Sequence, residues 1–193
     1  MGIIKIYYDL ETTGVNYKRH GVHQIAGIVE VNAREVETFN FKVRPNPRAE
    51  ITPEAMAVCR VTAEEILAYR PMEAAYQDFI ALLSKYINKY DKTQKAYLVG
   101  FNNRFFDDQF LRAWFSQNGD TFFNSWFWPD TLDVMVLASQ YLINRRPGMP
   151  SFKLHRVAKE LGLEVDATRN HDALYDVGLT RDIYYIVTGL EIE

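Results

Sequence analysis

Residues 7–14 read Tyr-Tyr-Asp-Leu-Glu-Thr-Thr-Gly and follow the apolar run Ile3-Ile4-Lys5-Ile6. The β-branched residues of that run predict a buried strand. Because side chains alternate faces along a strand, the carboxylates of Asp9 and Glu11 point to the same side. Paired carboxylates repel each other unless one is protonated or a cation lies between them, and Mg²⁺ and Mn²⁺ prefer such oxygen ligands. Two solvated acids before a turn explain the pattern equally simply, so the choice depends on the remaining sequence.

The composition limits the class of protein. The chain has 193 residues, of which 48% are hydrophobic, which predicts a single domain spanning residues 1–193 with a sizeable core. The lone Cys59 excludes an internal disulfide, and no apolar run is long enough for a signal or a bilayer span. We therefore expect a soluble, cytoplasmic protein without membrane contact. The net charge of −3 excludes a bulk polyanion binder but not an enzyme that acts on nucleic acid through metal-holding acids.

Hydrophobic periodicity predicts strands first and then alternating helices and strands. Strands are predicted at about Ile3–Tyr8, Gln24–Val31, Val36–Arg44, Ala96–Gly100 and Trp126–Trp128. Helices are predicted to start at Thr52-Pro53 and Thr62, and to cover about Pro71–Tyr90, a segment ending near Asn118, Thr131–Ile143, Ser151–Leu161 and Asp172–Val187. This order predicts a mixed five-stranded sheet, with three antiparallel strands followed by parallel strands, flanked by helices.

Asp107 and Asp108 lie near the start of the helix after the fourth predicted strand. Acids at this place stabilise a helix N-terminus, but one of the two could instead face the end of the first strand. Asp107 is the better candidate, because Phe106 and Phe110 mark the buried face and Asp108 is rotated by about a further 100°.

His171 and Asp176 lie at the start of the last predicted helix. A carboxylate at Asp176, on the face shared with Ala173 and Val177, would point inward and be costly unless neutralised. The simpler alternatives are a solvated histidine near the helix cap and a surface acid.

Together these residues match three motifs in order. They are Asp-Leu-Glu-Thr-Thr-Gly at 9–14, Asn-Arg-Phe-Phe-Asp-Asp-Gln-Phe-Leu at 103–111 and His-Asp-Ala-Leu-Tyr-Asp at 171–176. The chain thereby resembles, from Ile3 to about Tyr185, the 3′→5′ exonuclease superfamily named for four acids and a histidine, which includes polymerase proofreading subunits, exonuclease X and oligoribonuclease. The resemblance also selects Asp107 over Asp108. The chain departs from the pattern at Asn102 and Cys59, where many relatives have histidine, so the substrate preference stays open.

The resemblance implies a ribonuclease-H-like fold and two divalent cations, Mg²⁺ or Mn²⁺. Asp9 would bridge both ions, and Glu11 and Asp176 would complete the site of the attacking water. Asp107 would hold the second ion, and His171 would be the general base. Two such ions supply the nucleophile, stabilise the leaving oxygen and neutralise phosphate charge.

The resemblance also implies how substrate is held. Leu10, Thr12 and Asn103 would bind a nucleic-acid 3′ end, most simply single-stranded, with DNA favoured over RNA and nucleoside 5′-monophosphates released. A polymerase or a second copy of the chain is a possible partner. The basic residues near the third motif would steer phosphates or form a solvated face; they are Arg145, Arg146, Lys153, Arg156, Lys159 and Arg169.

Two other functions fit the same residues. The first is a non-catalytic nucleic-acid-binding or polymerase-accessory module, against which the intact acidic set argues. The second is a metal hydrolase of the same fold that cuts internally, against which His171 and the Thr12-Thr13-Gly14 turn argue. A nucleotide-cofactor enzyme is excluded, because the sequence has neither a Gly-x-Gly-x-x-Gly nor a P-loop pattern.

Overall fold

The computed structural model describes residues 2–169 and 172–190. In these ranges the strands are β1 (Ile4–Thr12), β2 (Val22–Val31), β3 (Arg34–Lys42), β4 (Ala96–Gly100) and β5 (Leu132–Asp133). The helices are α1 (Pro53–Cys59), α2 (Ala63–Leu67), α3 (Met72–Tyr86), α4 (Asp107–Gln117), α5 (Phe123–Trp126), α6 (Val134–Tyr141), α7 (Leu154–Glu160) and α8 (Ala173–Thr188). Short 3₁₀ turns occur at Asn103–Phe105, Arg146–Gly148 and Ala167–Arg169.

The strands form one mixed sheet in the order β3-β2-β1-β4-β5. The pairs β1–β2 and β2–β3 are antiparallel, and β1–β4 and β4–β5 are parallel. The predicted sheet, three antiparallel strands followed by parallel ones, is therefore confirmed. β1 lies at its centre, and its residues are buried on both faces except for the partly exposed Asp9, because helices cover the sheet on both sides.

Helices cover both faces of the sheet and bury two separate cores. Ile6, Tyr8 and Leu10 pack into the first core with α3 and α4, whereas Tyr7 packs into the second core with α6, α7 and α8. Because side chains alternate along β1, Asp9 and Glu11 lie on the face covered by α8. None of the helices described is both long and apolar enough to cross a membrane.

Local sequence signals explain several element boundaries. The Thr52 hydroxyl accepts a hydrogen bond from the Ala55 amide, and Pro53 opens α1. Thr62 and Glu65 form a complete capping box at α2, as their spacing predicts. The turn between β2 and β3 has positive φ at Asn32 and Ala33, 52° and 66°, which is the backbone sense that tight hairpins favour.

The last predicted strand is wrong in position. Residues 126–128 follow the helical turn α5 and make only an isolated bridge between Phe127 and Ala96. The fifth strand is instead β5, within the segment predicted to be helix. Asp133 ends this strand because its carboxylate accepts from the Met135 amide and so caps α6. Such a cap has no hydrophobic signature, so periodicity could not separate a two-residue strand from the helix that follows.

Other predicted boundaries shift by a few residues. β1 extends to Thr12, beyond the predicted end at Tyr8, because its pairing with β2 continues past the acids. β3 begins two residues earlier than predicted, directly after the tight turn. The extension of β1 places Asp9 and Glu11 within the strand, where hydrogen bonds to β2 fix their backbone.

Candidate active site

Four acids of the three motifs lie near the carboxyl end of the central strand β1. Asp9 and Glu11 project from the second half of β1, Asp107 is the first residue of α4, and Asp176 lies in the first turn of α8. Burial raises the pKa of Asp9 well above its usual range, and the nearby charges of Asp107, Glu11 and Asp176 raise it further. The structure thus places the other three predicted acids within electrostatic range of Asp9.

The two neighbouring acids of α4 face different surroundings. The Leu10 amide donates to Asp107 Oδ1 at 3.2 Å, which joins the start of α4 to β1 between the two acids of that strand. Asp108 instead accepts a short hydrogen bond from the Tyr8 hydroxyl. Asp108 is also buried, 9% exposed. Asp107 therefore belongs to the acidic group, and Asp108 is a buried acid that links α4 to the other face of β1.

The pKa values of two further carboxyl groups of this site are also raised. Burial raises the pKa of Glu11 to about 7, although a hydrogen bond from Cys59 partly opposes the shift. Burial also raises the pKa of Asp107 well above its usual range, against the hydrogen bond from the Leu10 amide. These carboxyl groups cannot all ionise near neutral pH without a compensating positive charge.

The contact between Cys59 and Glu11 was not predicted from the sequence. The Cys59 thiol donates to Glu11 Oε2 at 3.0 Å from the last residue of α1. Burial and the charge of Glu11 both raise the pKa of the thiol, which keeps it protonated and able to donate. At position 59, where the sequence departs from the family pattern, the chain therefore provides a thiol that donates a hydrogen bond to Glu11.

His155 is a second contact that sequence reasoning missed. Its Nε2 lies 2.5 Å from Asp176 Oδ1, so α7 holds the orientation of the α8 carboxylate. An isolated histidine inside a predicted helix carries no pattern that would single it out. The predicted general base, His171, lies outside the described residues, and its place relative to the acids stays a prediction.

An open cavity of about 430 Å³ adjoins Glu11. Leu10 and Thr12 line it, but Asn103 does not. Asn103 is fully buried, and its side-chain amide donates to Thr131 Oγ1 at 3.2 Å. The other lining residues are Glu11, Gly14, Val15, His20, Thr52, Glu54, Ala55, Val58, Cys59 and Phe106.

The wall of this cavity explains the glycine of the first motif. A Cβ added at Gly14 would lie 2.6 Å from the His20 ring, so a larger residue would displace that ring. Val15 and Val58 are 83% and 50% exposed at the rim. Exposed apolar groups beside a cavity suit a ligand that presents a flat, partly apolar surface.

Several of the predicted phosphate-steering residues already have partners. Arg156 pairs with Glu160 at 3.2 Å, and Arg169 pairs with Asp172 at 3.0 Å. Lys153 and Lys159 are exposed. The two lysines are thus better placed than these arginines to contact a phosphate without breaking an existing ion pair.

The donor set fits a hard divalent cation. It consists of carboxylate oxygens whose repulsion such a charge would relieve. Within the described residues, no three or more His, Cys, Asp or Glu side chains are arranged to hold a metal ion. An all-protein zinc cage is therefore not formed in this part of the chain, whereas Mg²⁺ needs only one or two carboxylates together with water and phosphate oxygens.

We expect the metal-free protein to lose stability as pH rises from about 5 to 8. The folded-state pKa of Glu11 is about 7, against 4.5 for the ordinary side chain. The pKa is raised, so its stabilising contribution is fully present below 4.5 and is lost as pH passes 7. The difference corresponds to about 3 kcal/mol. Urea unfolding in EDTA at both pH values measures it.

Glu11→Gln is the matched control for this pH dependence. The variant should flatten the profile, because the amide does not titrate, and adding Mg²⁺ to the wild-type protein should raise its stability most at pH 8. A wild-type stability that increases over the same interval in EDTA would contradict the assigned environment of Glu11.

The chain belongs to the protein family described as Exonuclease, which it matches over residues 6–184. It is 25% identical to the DNA polymerase III PolC-type of Mycoplasmopsis pulmonis over 94% of this chain and 11% of that protein. It is 27% identical to the DNA polymerase III subunit epsilon of Pasteurella multocida over 96% of this chain and 68% of that protein.

A solved structure shows the same fold. Exonuclease I of E. coli, crystallised with a dT13 oligonucleotide, superposes with a TM-score of 0.77 at 23% identity, over 96% of this chain and 41% of that one. The chain thus spans less than half of the length of this structure and about a tenth of the PolC-type polymerase. The ribonuclease-H-like fold and the family are confirmed, whereas the activities of those larger proteins are not transferred by similarity alone.

Proposed function

We propose that this protein is a metal-dependent 3′→5′ exonuclease that hydrolyses phosphodiester bonds from the 3′ end of nucleic acid and releases nucleoside 5′-monophosphates. The observation that carries the proposal is the convergence of Asp9, Glu11, Asp107 and Asp176 beside an open cavity. A non-catalytic module gains nothing from such a group, because buried carboxylates that repel one another destabilise the fold. We also propose that residues 1–193 form one exonuclease domain, since both cores share the central strand β1.

The four carboxylates would hold two divalent cations, Mg²⁺ or Mn²⁺. When bound, such ions neutralise phosphate charge and lower the pKa of water. The chain's own contribution is to fix its ligands. The Leu10 amide holds Asp107, the Cys59 thiol holds Glu11, and His155 holds Asp176. Each of these three ligands therefore has a neighbour that restricts its rotamers, which is the usual support for metal-binding side chains.

The cavity beside Glu11 would receive the terminal nucleoside. Its volume of about 430 Å³ and its largely apolar lining suit a sugar and a base. Leu10 and Thr12 connect the cavity to the acids, so a nucleoside bound there would present its 5′-side phosphate to the carboxylates. Single-stranded DNA is the favoured substrate, because a terminal base must be unpaired to enter, and the related fold of Exonuclease I was crystallised with dT13.

Matched oligonucleotides test the proposed reaction. A 5′-labelled single-stranded DNA, incubated with Mg²⁺, should shorten one nucleotide at a time and yield nucleoside 5′-monophosphates. The same strand with a 3′-phosphate should resist, and an RNA of identical sequence measures the sugar preference. A single internal cut would support the internal nuclease, and binding without shortening would support the accessory module.

We expect His171→Ala to lower turnover at least about a hundredfold, because a positioned base contributes roughly 10²–10⁴-fold. Mg²⁺ binding, measured by calorimetry, should persist, since the imidazole is not one of the proposed ligands. Circular dichroism would verify that the variant folds like the wild type. Turnover in His171→Ala equal to that of the wild type would refute the assigned role.

Size-exclusion chromatography would test the predicted homodimer, and association with a polymerase stays a prediction.

A further inference from the structure

A basic and aromatic surface lies at the opposite end of the sheet from the acids. We call it the lysine–aromatic patch and define it by Lys89, Tyr90, Lys92, Lys95 and Trp128, with the buried ring of Trp126 beside Lys89. The Trp128 amide donates to the carbonyl of Ala96 at 3.0 Å, and Ala96 pairs with Ile4 at the beginning of β1. Asp9 is five residues further along that strand, about 17 Å away at the usual rise per residue. The patch is therefore separate from the candidate active site.

Positive charge in the patch is concentrated, and its lysines outnumber the one acid of the same segment. Residues 85–95 contain four lysines and one acid, in a chain whose net charge is −3. Lys85 is neutralised by Glu37 at 2.7 Å. The acid, Asp91, accepts hydrogen bonds from Thr93 and Gln94 of its own loop. In the parts of the chain that are described, Lys89, Lys92 and Lys95 form no ion pair.

Aromatic rings lie beside two of these three lysines. Lys89 Nζ is 5.5 Å from the ring centre of Tyr90 and 5.3 Å from that of Trp126. Lys95 Nζ is 5.3 Å from the ring centre of Trp128. Tyr90 is 86% exposed, so its ring offers a face to solvent. Lys89, Tyr90 and Trp126 also line a cavity of about 390 Å³.

We propose that the lysine–aromatic patch is a second binding site, specific for single-stranded nucleic acid. Lys89, Lys92 and Lys95 would contact successive phosphates, and Tyr90 would stack on an unpaired base. Proteins that hold single strands combine a cationic track with exposed rings in this way. An acidic peptide would satisfy the charges, but the exposed ring beside the lysines favours a ligand that carries flat bases between its phosphates. A strand held there would keep a long substrate attached while its 3′ end reaches the acids.

Binding without hydrolysis tests this site by itself. Fluorescence anisotropy would follow a labelled single-stranded DNA carrying a 3′-phosphate, in EDTA, where the cation-free acids repel phosphate and contribute little affinity. The combined variant Lys89→Gln, Lys92→Gln and Lys95→Gln should bind on the order of a hundredfold more weakly, and its salt dependence should lose about 2 from the logarithmic slope. Tyr90→Ala should bind about tenfold more weakly with an unchanged slope.

A matched pair of charge reversals controls for net charge. Lys92→Glu and Arg48→Glu change the protein's charge equally, and both residues are exposed, but Arg48 lies in the loop that bonds to Arg19 and Thr13 at the other end of the sheet. Only Lys92→Glu should weaken binding, and circular dichroism would verify that both variants fold. The proposal is overturned if the wild type does not bind, if the triple variant binds as the wild type does, or if Arg48→Glu is equally impaired. Binding of an acidic peptide at the patch, with no effect of the lysines on DNA, would also overturn it. Because no outcome depends on hydrolysis, failure of this site is distinguishable from failure of the exonuclease proposal.

Discussion

Asp9→Asn should abolish turnover and, without metal, make the protein more stable. Asparagine has nearly the same shape but cannot supply the charge that both proposed cations need, so we expect turnover to fall at least about 10⁴-fold, equivalent to about 5 kcal/mol. The substitution also removes a partly buried charge that Asp107, Glu11 and Asp176 repel. In EDTA at pH 8 the melting temperature should therefore rise, by an amount that thermal unfolding would measure.

Asp108→Asn is the control for Asp9→Asn. Asp108 is also buried, but it accepts from the Tyr8 hydroxyl on the other face of β1. An asparagine oxygen can still accept that bond, so turnover should stay within about tenfold of the wild type. Two results would count against the acidic site: an Asp9→Asn protein that keeps most of its turnover, or one that is less stable than the wild type in EDTA.

The property of Asp9 that should make Asp9→Asn less active but more stable is also what made the site recognisable in the sequence. Asp9 and Glu11 break the apolar pattern of a central strand, where a charge is costly. Charged residues at positions where the pattern predicts a buried apolar side chain are expected at functional sites, because function is retained there at the cost of stability. The period of two along β1 was enough to predict that both carboxylates share a face, and the phenylalanines of the second motif indicated the buried face of α4.

The supporting contacts could not be predicted in the same way. His155 meets Asp176 across 21 residues of sequence, and Cys59 meets Glu11 across 48. Such pairs depend on how α7 and α1 pack against β1 and α8, which no local spacing encodes. The position of the last strand was predicted wrongly for a related reason, because β5 pairs with β4 only at Leu132 and Asp133. So short a strand is set by its neighbour rather than by its own pattern.

Asn103 illustrates a limit of arguing from a motif. Its place at the head of the second motif predicted a substrate contact, yet its side chain is fully buried and donates to Thr131. A Cβ added at Gly100 would lie 2.7 Å from the Asn103 side chain. The asparagine therefore packs tightly against the end of β4 and does not line the cavity.

Glu30→Gln should cause the largest loss of stability, about 3–5 kcal/mol, because it leaves two buried cations without their shared partner. Glu30 is 0% exposed on β2 and accepts from Lys5 at 2.8 Å and from Arg181 at 3.0 Å. Burial by itself raises the pKa of Glu30, but the hydrogen bonds from Lys5, Tyr185 and Arg181 together outweigh it, and the pKa lies below its usual range. The folded state therefore stabilises the charged form, and this contribution disappears as pH falls below about 4.5.

Glu35→Gln provides the comparison, because Glu35 contacts the same Arg181 from a side chain that is 44% exposed, at 3.9 Å. An exposed pair of this kind contributes about 1 kcal/mol or less. Urea unfolding at pH 7 should separate the two variants, and Glu30→Gln should also melt about 10 °C lower. Equal losses would mean that the buried carboxylate is not the centre of the network.

Arg181 lies on α8 five residues after Asp176. Loosening Arg181 should therefore also weaken Mg²⁺ binding, which would link the stability of the β2–α8 contact to the geometry of the acids.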